Sequence, residues 1–210
     1  MTVLDELHAD LDLFRELRYG GTPSSTGPTI RVLLSSRGFF AMAGHRITRR
    51  YLEWQPSTRA GRALSVVAAA GVELLSYASA VVAKGQIADY CAVEPGVYFS
   101  DLGNIMLGAS KVGRGTVIHH DVTIGARAGD HVAGMPSIGR DVWIGPGCVL
   151  YGPIRVGDGV TILPGTVVSK DVPDRHVVQG YPARVVCRDF DNAALRRTLA
   201  TEVRLPTGTG

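Results

Sequence analysis

The stretch SIGRDVWIGPGCVLYGPIRVGDGVTILPGTVV, residues 137–168, decides the fold. Ile138, Ile144, Leu150, Val156, Ile162 and Val168 follow one another at a spacing of six. Glycine stands directly after three of them, at Gly139, Gly145 and Gly157. A six-residue period is too short for helical repeats and too regular for a chain of hairpins. It marks a parallel β-helix. Each hexapeptide supplies one short strand and one corner, and three complete a coil of about 18 residues. Coils then stack at the strand spacing of roughly 4.8 Å. The aliphatic side chain points inward, and glycine accepts corner dihedrals that other residues resist.

The same period extends toward the N-terminus. Beyond an insertion come Ile124, Ile118 and Val112; then, past one extra residue, Ile105, Phe99, Val93 and Ile87. Before residue 86 the texture is helical: Leu4, Leu7, Leu11 and Phe14 recur at helical spacing, and GGTPSSTGP (20–28) reads as a linker. The expected organisation is an α-helical region over 1–85 that serves oligomerisation, a mainly β domain over 86–187, and a tail over 188–210.

Composition narrows the function. The net charge of +3 is spread along the 210 residues rather than gathered into one run, which argues against a nucleic-acid partner. Cys91, Cys148 and Cys187 form neither a C-x-x-C pair nor an even framework, so a reducing cytoplasm is expected. The acidic opening MTVLDELHADLDLF has no basic leader region. Residues 63–83, ALSVVAAAGVELLSYASAVVA, are long enough to span a bilayer. Glu73 at their centre and their Ala and Ser content favour a buried or subunit-facing helix, so no membrane partner is expected.

The chemistry centres on VIHHDVTIG, residues 117–125. His119, His120 and Asp121 interrupt an otherwise β-branched strand. Phe99 and Ile118 are separated by three hexapeptides and the one extra residue, so they should stack on consecutive coils. Asp101 and His120, each two positions past its aliphatic, should then share a corner one rung apart. A carboxylate there could hold the imidazole in one tautomer and stabilise its cation. His120 is therefore the expected general base, with Asp101 supporting it, Asp121 beside it and His119 as the fallback. Corner polarity without chemistry is the alternative. Gly145 and Gly147 in IGPGC (144–148) could offer backbone N–H groups to an oxyanion.

The stretch PSIGRDVWIGPGCVLYGPIRVGDGVTILPGTVVSKDVPDRHVVQGYPARVV (136–186) resembles the hexapeptide-repeat acyltransferases, above all serine O-acetyltransferases and related sugar and polysaccharide acetyltransferases. RGFFAMAGHRITRRYLEW (37–54) is similar to the helical segment that precedes the β-helix in the serine enzymes. The resemblance implies a left-handed coil, against the usual right-handed crossover. It also implies acetyl-CoA or another acyl-CoA as co-substrate, a small hydroxyl- or amine-bearing acceptor, and a homotrimer or dimer of trimers. Lys170 and Arg184 match basic positions along bound CoA, and Arg175 is a further candidate in the same closing segment. GDH (129–131) matches a G-D-x-H loop element and makes His131 a further site candidate. His120 and Asp121 match a His-acid pair of sugar N-acetyltransferases, V-I-E-H-E.

Two positions depart from the serine enzymes. Their catalytic His, in L-D-H-A-T-G-I, falls at Asp101 within FSDLGNI (99–105), and its partner Asp falls at Gln86. L-serine stays open as acceptor beside amines and sugars. Two other classes also stay open. One is a metal enzyme like the γ-type carbonic anhydrases; no metal is expected, because adjacent His119 and His120 point apart in a strand. The other is an inactive scaffold.

Overall fold

A computed structural model describes residues 2–19, 29, 32–33, 35–54, 58–126 and 134–197. Among the described residues three long helices come first: α1 (Val3–Tyr19), α2 (Arg37–Glu53) and α3 (Arg59–Ala83). Fifteen short strands then follow among the described residues and form three faces. Face A stacks β1 (Gly85–Ile87), β4 (Ile105–Leu107), β7 (Thr123–Gly125), β10 (Val149–Tyr151) and β13 (Val167–Val168). Face B stacks β2 (Ala92–Val93), β5 (Lys111–Val112), β8 (Ser137–Ile138) and β11 (Arg155–Val156). Face C stacks β3 (Tyr98–Phe99), β6 (Val117–Ile118), β9 (Trp143–Ile144), β12 (Thr161–Ile162) and β14 (Val177–Gln179), and ends with the antiparallel β15 (Arg184–Cys187). This is a solenoid of about five turns, consistent with the left-handed β-helix expected above.

All the six-spaced aliphatics are at most 9% exposed. Their stacking follows expectation with one correction. Phe99 pairs with Ile118, and Ile118 with Ile144, down face C. On face A, however, Ile87 pairs with Leu107, and Leu107 with Ile124; Ile105 pairs with Gly85 instead. The extra length therefore lies before Leu107, in the corner 100–104, and the next corner is one residue short. Gly103 and Asn104 both take positive φ there, the conformation a lengthened turn needs.

The helices dock on the first coil through buried charge and aromatic packing. The Arg46 guanidinium, 4% exposed, pairs with Asp10 at 3.1 Å and donates to the carbonyls of Val93 and Glu94. Asp10 also accepts from the Gly96 N–H at 2.7 Å. Each buried charge thus has several partners, the condition under which such burial is tolerated. Phe14 of α1 packs against Phe39 of α2 and Tyr98 of β3. At the far end, residues 188–197 double back over the B–C corners and finish in α4 (Ala193–Arg197). Asn192, 3% exposed, donates from Nδ2 to the carbonyls of Asp141, Gly159 and Val160. Arg196 reaches the Gly115 carbonyl and the Asp141 carboxylate. Among the described residues, no helix is long and apolar enough to cross a membrane.

Candidate active site

The corner after Ile118 carries the two histidines because a coil must turn there. Asp121 makes the turn at φ 57°, a conformation its short polar side chain tolerates. Its N–H donates to the Gly103 carbonyl of the coil below, and its carboxylate accepts from Asn104 Nδ2 at 2.8 Å. His119 donates its backbone N–H to Ile144 and lays its ring edge-on to Trp143, with centroids 4.8 Å apart. Burial, with His120 adjacent, pushes the His119 pKa from 6.5 down to about 4, so this ring is neutral near pH 7. His120 is half-buried. Its Nδ1 is buried without a hydrogen-bond partner, as is Nε2 of His119.

Asp101 does not stand beneath His120. Because the corner 100–104 is lengthened, Gly103 occupies the equivalent rung: Gly103 accepts from Asp121 as His120 accepts from Gly147. Asp101 is displaced outward, onto the helices. One carboxylate oxygen accepts from the Ser36 hydroxyl at 2.7 Å and the Gly38 N–H at 2.8 Å. The other lies 2.7 Å from an Arg18 nitrogen. Ser36 itself caps α2 by accepting from Phe39. The expected orienting acid is thus a tie between α1, α2 and the first coil.

The glycines are corrected as well. The Gly145 N–H donates to Ile162 and the Gly147 N–H to His120, so neither remains for an oxyanion. A Cβ at Gly145 would lie 2.8 Å from the Trp143 ring, so this glycine makes room for the aromatic that His119 contacts. Trp143 was missed by sequence reading, which had no reason to separate one outward strand residue from another.

Lys170 and Arg184 come together. Both line a cavity of about 220 Å³ at the end of the solenoid, between the last coil and the β14–β15 hairpin. Arg175 lies on another corner and pairs with Asp189 at 3.1 Å, where it holds the returning C-terminal segment. His131 lies outside the described residues. Among the described residues, no group of three His, Cys, Asp or Glu side chains is gathered as a metal site would require.

Residues 135–170 match the family model described as bacterial transferase hexapeptide (six repeats). A serine acetyltransferase of Synechococcus elongatus is 29% identical over 160 residues, which cover 76% of this chain and 61% of that protein. A chloramphenicol acetyltransferase of Agrobacterium fabrum is 40% identical over 63 residues, 30% of each chain. The crystal structure of Neisseria gonorrhoeae serine acetyltransferase superposes with a TM-score of 0.71 at 25% identity, covering 98% of this chain and 72% of that one. The likeness therefore runs through the helices as well as the solenoid, while the chain spans under two thirds of the first relative's length.

Proposed function

We propose that this hexapeptide-repeat chain is an acyl-CoA-dependent O- or N-acyltransferase that acetylates a small hydroxyl- or amine-bearing acceptor. The observation that carries the reading is the likeness to serine acetyltransferases over helices and β-helix together. L-serine is accordingly the first acceptor to test. The missing His and Asp of the serine enzymes keep amino sugars and other hydroxyl acceptors in the same screen.

His120 acts as general base. The acceptor's oxygen or nitrogen attacks the thioester carbonyl carbon and gives its proton to the imidazole. The tetrahedral adduct collapses, the C–S bond breaks, and the CoA thiolate takes the proton back from the imidazolium. Lys170 and Arg184 supply cations for the CoA phosphates at the end of the solenoid. The assembly is a homotrimer or a dimer of trimers in a reducing cytoplasm. Support for association comes from α3, where Leu64, Val67, Leu74, Tyr77 and Val81 are 58–71% exposed along one side. Light scattering should then return three or six times the chain mass of 22.3 kDa.

The test is thiol release from acetyl-CoA by the purified protein across an acceptor panel. Acceptor-dependent release should fall about 10²–10⁴-fold in His120→Ala. Release that is independent of every acceptor, or untouched by that substitution, overturns the reading. Lys170→Ala and Arg184→Ala should weaken CoA binding, and the loss should shrink as salt rises.

A further inference from the structure

A buried histidine sits at the seam where α2 and α3 meet β1. His45 Nε2 is 3.1 Å from the carbonyl oxygen of Cys91. A carbonyl only accepts, so Nε2 carries the proton. Burial and the neighbouring Arg46 push the ring's pKa down to about 4, so the imidazole is neutral near pH 7 and Nδ1 holds a lone pair. That nitrogen is buried and has no hydrogen-bond partner, and the Thr48 hydroxyl on the same helix is in the same condition. Both residues are only 5% exposed. Both line one cavity of about 20 Å³, whose other walls include Ser76 and Ser79 of α3 and Gln86 of β1. One water needs roughly 10–15 Å³ and two to four polar partners.

We propose that this cavity is the binding site of a single structural water that donates to His45 Nδ1 and accepts from the Thr48 hydroxyl. Its second hydrogen can go to Ser79 Oγ, which spends its own proton on the Ser76 carbonyl at 2.8 Å and keeps its lone pairs. That makes three hydrogen bonds, the usual number for a buried water. The water fixes the His45 tautomer and links α2 to α3 beside the first strand. Asp89 also lines the cavity, but one imidazole and one carboxylate fall short of the three His, Cys, Asp or Glu groups that a metal centre gathers, so a metal ion is a poorer occupant.

A high-resolution crystal structure of the full chain should show one water within hydrogen-bond distance of both His45 Nδ1 and Thr48 Oγ1. Imidazole ¹⁵N spectra of the unmodified protein should report a proton on Nε2 and a hydrogen-bonded, unprotonated Nδ1. Thr48→Val should move the Nδ1 signal toward that of a bare ring nitrogen and lower the melting temperature. Thr48→Ser should keep both near the parent. A direct His45–Thr48 hydrogen bond with no water between them, or a proton on Nδ1, overturns the proposal.

Discussion

His119 and His120 are neighbours in the chain, yet the solenoid gives them different surroundings. His120 is half-buried at the turn. His119 is pressed against Trp143 and, like His45, is held uncharged by burial, each with a pKa near 4 against an ordinary 6.5. The unfolded chain takes up these protons near pH 6.5 and the folded protein only near pH 4. Between those values the unfolded state binds more protons, so stability should fall as pH drops through that window and be level above it. Thermal unfolding from pH 7 to pH 4 should show a shallower fall in His119→Phe than in the parent. Equal slopes would mean that His119 charges freely in the folded protein. Asp101 permits a sharper separation. Asp101→Asn removes the charge facing Arg18, and is expected to cost about 1–3 kcal/mol of stability. The rate per folded molecule should change little. A large fall in kcat with an unchanged Tm would return Asp101 to the catalytic machinery.

At the scale of strands and corners, most of the fold was legible in the sequence, because an inward row obliges an aliphatic side chain every six residues. The corner 100–104 was not. Spacing constrains how many residues are extra between Phe99 and Val112, but not where they sit. Putting them after Ile105 preserved the aliphatic pattern equally well. Leu107, buried to 1%, was the available competitor, and the choice between it and Ile105 decided whether Asp101 faces His120. The helices depend on the same region. A Cβ at Gly38 would fall on the Phe99 carbonyl oxygen, so α2 can approach the first coil only with glycine there. Gly38→Ala should destabilise the protein by about 1–3 kcal/mol or more, read as a lower denaturant midpoint, because backbone has nowhere to retreat.

At the scale of the whole molecule, residues 188–197, after the last coil, behave as part of the body. Sequence reading made 188–210 a tail, since five residues of helix among polar neighbours carry no periodic signal. The hold on residues 188–197 comes instead from a buried side-chain amide, whose three acceptors belong to two different coils. Asn192→Ala should take this donor from the Asp141 and Gly159 carbonyls, while the Val160 carbonyl keeps the Trp143 N–H, and cost about 1–3 kcal/mol. Limited proteolysis should then cut near residues 188–197 well before the parent is cut there; equal cleavage would mean the segment is held elsewhere. Because this strap leaves the last coil at Arg175, is pinned at the levels of Gly159 and Asp141, and brings α4 against α1, its reach measures the solenoid. An inserted coil would lift the anchor by roughly 4.8 Å and pull the strap off its pins. The chain therefore carries its own ruler: repeat number, free to drift in an open-ended stack, is set here by the length of a ribbon that must reach back to where the stack began.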